Sequence, residues 1–136
     1  MDDSSSSSSL KGNSGLDIDK SIKKLQASAV ERSKHRCAFY VRNALLAGGI
    51  SFAEHPRDAK DYGSYLIDKG FVEVPLKSYM AVKGDIAVIQ PYKGGSSAGH
   101  ITMFDGKVWV SDFWQTDMWS GPGYRQHKPS YKIYRP

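Results

Sequence analysis

The sequence predicts an α+β domain, with helices first and an antiparallel sheet second. Three features carry this reading. Two apolar stripes of helical period lie before residue 50, short apolar runs bounded by Gly and Pro lie after residue 70, and an Asp105-Gly106 pair separates two of those runs. In LDIDKSIKKLQASAVERS, Ile18, Ile22, Leu25 and Ala29 recur at offsets of 4, 7 and 11, one face of a helix that begins near Asp17 or Asp19. From Cys37 to Ala47 the residues Cys37, Tyr40, Val41, Ala44 and Leu45 form a second stripe, stopped by Gly48-Gly49. A third, weaker helix lies in RDAKDYGSYLIDKG, with Tyr62, Tyr65 and Leu66 inward and Gly70 as its stop.

The period then changes. FVEVP reads as a short strand, and GDIAVIQP as a buried strand closed by Pro91. GHITMF-DG-KVWVSDF reads as a hairpin around Asp105-Gly106, and YKIYRP as the last strand. The segment WQTDMWSGPGYRQHKPS reads as a long aromatic loop of the kind that often carries function.

The chain has 136 residues, 40% hydrophobic and 12% aromatic, enough for one domain with a real core. Residues 1–14 are Ser-rich and polar and read as a disordered tail, leaving 15–136 as a single domain. The formal charge of +5 and sequence pI near 9.3 suit an acidic partner: nucleic acid, an anionic membrane surface or an anionic polymer. One cysteine excludes an internal disulfide framework and a multi-thiolate metal site. No apolar run approaches the roughly 20 residues that span a bilayer, so membrane insertion is not expected. The opening MDDSSSSSSLKGNSG has neither a basic nor an apolar signal region, so synthesis in the cytoplasm without a classical signal peptide is expected.

Cys37 opens the second helix. Unpaired N–H groups and the positive dipole end at that position favour a thiolate and offer donors for an oxyanion. His35 and Arg36 add positive charge nearby. Selective alkylation of Cys37 at mildly acidic pH separates two roles: a depressed thiol pKa favours an enzyme, an inert thiol a non-catalytic binding module. The competing reading is that Cys37 is a small buried apolar group, as free cysteines commonly are.

A thiol nucleophile needs a base and a group that orients the base. His55 and His127 look like loop residues, and His35 is too close in sequence to face Cys37 across a cleft. His100 follows the glycine loop KGGSSAG and opens a strand, which would hold its imidazole rigidly. The orienting candidate is Asp112 in VWVSDF, with Asp117 in reserve. A two-residue turn at Asp105-Gly106 sets His100 opposite Ser111 and turns Asp112 to the other face. A three-residue loop or a bulge puts Asp112 on the face of His100, so the catalytic reading predicts the longer loop.

HRCAFYVRNAL, GDIAVIQ and GHITMF…VSD, in that order, resemble the CHAP and NlpC-type peptidoglycan hydrolases. The resemblance spans about Ile18 to Asp112 and implies a papain-like fold. In that family a cysteine at a helix N-terminus attacks an amide, a strand histidine is the base, and a polar residue on the next strand orients it. These roles carry to Cys37, His100 and, at a position where CHAP members commonly have Glu and NlpC-type members often His, to Asp112. No metal or cofactor is implied. The tail SDFWQTDMWSGPGYR…Y.IYR also resembles small amidase effectors that bacterial secretion systems deliver into rival cells, which implies a cognate immunity protein and action on the cell wall of a target cell.

Peptidoglycan is an anionic polymer and suits a basic protein, and Trp114, Trp119 and Tyr124 are candidates to line a substrate groove. Aromatic core filling is the competing role for those three. The expected activity is cleavage of an amide bond in a stem peptide or cross-link. The rival is a basic, non-catalytic module for nucleic acid or an anionic wall polymer, resting on the charge and on KSIKK and ERSKHR; no nucleic-acid motif accompanies it.

Overall fold

The computed structural model describes residues 10–136. Helix α1 spans Ile18–Ser28, and the Asp17 carboxylate caps it by accepting from the Lys20 N–H at 3.1 Å. Its stripe buries Ile22 and Leu25 against helix α2, Cys37–Ala47, which buries Val41, Ala44 and Leu45. The Ser21 hydroxyl pins the pair by donating to the Ala44 carbonyl at 2.7 Å. The third helix is shorter than its sequence window: a 3-10 turn, Ala59–Asp61, runs into α3, Tyr62–Asp68. Tyr62 and Leu66 are buried there and Tyr65 is half-buried.

Five strands follow: β1 Val72–Val74, β2 Ile86–Ile89, β3 His100–Phe104, β4 Trp109–Val110 and β5 Tyr131–Arg135. They form one sheet in the order β1-β5-β2-β3-β4, antiparallel at every pairing. Central β2 is buried along its whole length, which explains its unbroken apolar run. Ile86 and Val88 join Ile101, Met103, Val110 and Tyr134 beneath the helices. Ala87 and Ile89 face the other way, into a second cluster with Trp109, Tyr124 and Ile133.

Helices α1–α3 therefore cover one face of the sheet, and the segment after β4 covers the other. That segment is not only loop: it contains α4, Pro122–His127, with Pro at its start. At the buried end of the sheet, Arg135 Nε donates to Asp85 Oδ1 at 2.7 Å and a terminal guanidinium nitrogen donates to Oδ2 at 2.9 Å. The Tyr79 hydroxyl and Val82 N–H also donate to Asp85 Oδ2, which completes the solvation of a carboxylate hidden from water.

Of the tail assigned to 1–14, residues 1–9 lie outside the described residues. In residues 10–14, backbone groups find partners on the body. Gly12 N–H donates to Pro136 O at 3.0 Å and Asn13 N–H to Gly70 O at 2.7 Å, while Leu10 packs on the second cluster. Among the described residues no helix is long and apolar enough to cross a membrane.

Candidate active site

Cys37 is the first residue of α2. The preceding Arg36 provides no side-chain cap, so the first-turn N–H groups are left to other partners. The sulfur receives the N–H groups of Cys37, Ala38 and, from the start of β3, Ile101. Each favours a thiolate, yet burial opposes it more strongly, and the charge of Asp112 adds to that opposition. The thiol is pushed up to about 11. The depressed pKa expected from the helix dipole alone is therefore reversed: desolvation outweighs it, and the resting group is a protonated thiol.

His100 opens β3 and is buried. Gly99 before it has φ +72°, and a side chain at that position would collide with the Ile89 carbonyl. Only glycine brings the chain that close to β2 and into that conformation. Burial holds the imidazole below the ordinary histidine pKa, against raising contributions from Gln115 and Asp112. Cys37 and His100 line one cavity of about 340 Å³ together with Ser33, Ser96, Ser120 and Tyr124.

His100 Nε2 lies 2.8 Å from Gln115 Oε1. The amide orientation is set from its other end, where Gln115 Nε2 donates to the carbonyls of Asp117 and Met118, both at 3.0 Å. The Gln115 oxygen must then accept, so His100 Nε2 carries the proton and Nδ1 holds a free lone pair. The Ser111 hydroxyl, 2.9 Å from the same oxygen, steadies it further.

Asp112, expected to orient His100, does not bond to it. Its Oδ2 accepts from the N–H groups of Lys34 at 2.6 Å and Arg36 at 3.1 Å, and its Oδ1 from Ser111 Oγ at 3.2 Å. The reason is register. Met103 pairs with Val110 and Phe104 with Trp109, which leaves a four-residue loop, Asp105–Val108. The loop is longer than two residues, as anticipated, but four restores the parity of two, and the ladder stops at Val110, so no strand register carries Asp112 onto the face of His100. Asp105 sets this length itself: its Oδ1 accepts from the N–H groups of Lys107 and Val108, both at 2.8 Å.

Asp112 instead shapes the approach to α2. His35 sits at φ +57°, a conformation that non-glycine residues adopt at a cost, and the buried carboxylate grips the backbone on both sides of it. Asp117, the reserve, is engaged elsewhere: its carboxylate accepts from Trp119 N–H at 2.9 Å and Arg125 Nε at 3.0 Å.

Of the three aromatic candidates, Tyr124 alone lines a cavity with Cys37. Trp114 is 43% exposed and lines neither cavity that contains Cys37, while Trp119 packs edge-on against Tyr131 at 5.5 Å. The Tyr124 ring lies 6.0 Å from that of His100. Among the described residues its buried hydroxyl has no hydrogen-bond partner; burial first, and then the charge of a Cys37 thiolate, raises its pKa to about 12.

No family model and no curated protein matches the chain. Two crystal structures of the type VI effector–immunity complex Tae3–Tai3 from Ralstonia pickettii do. The native form is 41% identical with a TM-score of 0.80, over 87% of this chain and 97% of that one. The selenomethionine form is 41% identical with a TM-score of 0.78, over 85% and 98%. The α+β fold, with helices against an antiparallel sheet, is papain-like. At this identity over nearly the whole of the matched chain, the protein belongs to the Tae3 family of type VI effectors.

Proposed function

We propose that this protein is an antibacterial effector that hydrolyses an amide bond in peptidoglycan, in a stem peptide or a cross-link, by cysteine chemistry. The observation that carries the reading is the meeting of Cys37 and His100 in one cavity, with the His100 tautomer held by Gln115. Membership of the Tae3 family supports delivery by a type VI secretion system, action on the wall of a target cell and pairing with a cognate immunity protein. The CHAP and NlpC-type likeness of the motifs supports the same chemistry.

In this mechanism the resting pair is neutral. Burial raises the thiol and lowers the imidazole, so proton transfer before substrate arrives is uphill. The proton moves as the bond forms: Cys37 Sγ attacks the scissile carbonyl carbon while His100 Nδ1 takes the thiol proton. The carbonyl π electrons move onto oxygen, where the Cys37 and Ala38 N–H groups, released from the sulfur as it bonds to carbon, and the Tyr124 hydroxyl are donors. Gln115 Oε1 strengthens its bond to the ring as imidazolium forms. Collapse breaks the C–N bond, Nδ1–H protonates the departing amine, and a thioester remains on Cys37. Water then adds to the thioester with His100 as base, and the thiol leaves. Asp112 takes no proton in this scheme; it positions Cys37 through the backbone of residues 34–36.

Mass spectrometry of muropeptides from purified walls tests the proposal. Each cleavage is expected to add one water to the summed mass of its products and to leave one new amine on one side of the cut and one new carboxylate on the other. Fragments cut only at glycosidic bonds, or an intact wall, would defeat it.

A further inference from the structure

Cys37 stands at the junction of two cavities of opposite character. The one shared with His100 is lined by hydroxyls, glycine backbone and tyrosine. The other, about 490 Å³, meets it at His35, Cys37 and Ala98 and carries Arg36, Arg42 and Arg57, with no Asp or Glu on its wall. Two of these arginines are held in place. Arg36 lies over the Phe39 ring at 4.2 Å and Arg42 at 5.6 Å, and Arg42 also donates to the Tyr62 hydroxyl at 2.9 Å. Among the described residues none of the three forms an ion pair, although Glu54 and Asp58 flank the Arg57 loop in sequence. Like charges gathered on one ring with no counter-ion do not stabilise the fold. With Arg36 and Arg42 fixed in advance, the three form a receptor for an anion that arrives from outside.

We propose that this arginine groove binds a free carboxylate of the substrate peptide, on one side of the scissile amide, and so sets the direction in which the peptide crosses Cys37. The inference rests on the hydrolase reading above and adds to it the class of substrate group recognised. Guanidinium forks pair with a planar carboxylate through two parallel hydrogen bonds, and a neutral carboxamide cannot repay the same desolvation. The hydroxyl-lined cavity then takes the uncharged side of the peptide.

The test compares synthetic stem peptides bearing free carboxylates with copies in which each carboxylate in turn is amidated. Turnover is measured with the parent and with Arg57→Gln and Arg42→Gln, and binding with Cys37→Ala as the background. One amidation is expected to lower kcat/KM, and affinity for Cys37→Ala, by about tenfold. In the arginine variants that ratio is expected to fall toward one, and in the parent it shrinks as salt rises. Arg57→Lys, which keeps the charge and loses the fork, is expected to retain part of it. Active parent with no preference between acid and amide forms overturns the groove proposal alone, as does a preference that survives both arginine changes. Arginine dependence seen only in capture of an acidic partner protein also overturns it and gives the groove to that partner. Hydrolysis undiminished by Cys37→Ala removes the hydrolase reading, and this inference with it.

Discussion

Gln115→Met separates the orienting amide from its surroundings. Methionine matches the length and approximate volume of glutamine but accepts no strong hydrogen bond. The change removes the bond to His100 at 2.8 Å, the one from Ser111 at 2.9 Å and the two donations to Asp117 and Met118 at 3.0 Å. In the resting enzyme the bond to His100 is neutral and contributes about 1 kcal/mol; to an imidazolium it contributes about 1.5–3 kcal/mol. The difference, about 0.5–2 kcal/mol, is what kcat/KM loses, so a fall of about 2- to 30-fold is expected. Two orphaned carbonyls lower stability as well, so a second readout is needed that stability does not move. The Gln115 bond raises the His100 pKa against the larger lowering by burial. Without it the pKa falls further. Because His100 must be unprotonated to act as base, the acid limb of the kcat/KM profile moves to lower pH. The assay is peptide hydrolysis between pH 4 and 8, on protein shown by circular dichroism to be folded. An unchanged kcat/KM in folded protein, or an acid limb that moves upward, refutes the role given to Gln115.

Three further outcomes follow from the same geometry. Asp112→Asn trades a buried carboxylate that accepts from Lys34 and Arg36 for a neutral amide. Thermal melting is expected to drop by about 5–10 °C, and kcat with it as Cys37 loses its placement; an unmoved melting point contradicts this. Iodoacetamide labelling of Cys37 is expected to be slow at pH 6 and to climb toward about 11, where the thiol titrates. A plateau at or below the ordinary thiol range contradicts the burial argument. Tyr124→Phe removes a hydroxyl that has no partner among the described residues and a proposed oxyanion to hold during reaction. It is expected to lower kcat about a hundredfold with KM little changed and melting unchanged or higher; a lower melting point with full kcat would make Tyr124 structural only.

Much of the site was legible because it depends on local chemistry. A 3.6-residue stripe opened by Cys37 and stopped by Gly48 can hardly be other than a helix with its thiol at the tip. A glycine before His100 announces a close approach. What escaped depends on geometry beyond the strands. Period-2 reasoning ends with β4 at Val110, and the chain there folds back on itself, with Ser111 N–H donating to the Phe113 carbonyl and Val110 bridging Trp114. That reversal carries Gln115 to His100, and nothing in the spacing of VWVSDFWQ marks it. Asp112 was conspicuous as the acidic residue nearest the right place, but a four-residue loop gave it to the backbone before Cys37. The thiol pKa divides in the same way: a helix tip is visible in a sequence, whereas the burial that overrides its dipole belongs to the assembled fold. Trp119 could not be told from core by composition, and it is half-buried, packed on the second cluster beside Tyr131.

Cys37→Ala tests the account most directly, through the initial rate at which purified peptidoglycan is converted to soluble muropeptides. The variant is expected to fold as the parent does and to lose activity by at least about 10⁴-fold, because no other group can form the thioester. Release at the parent rate would show that the bond is broken elsewhere and by other means.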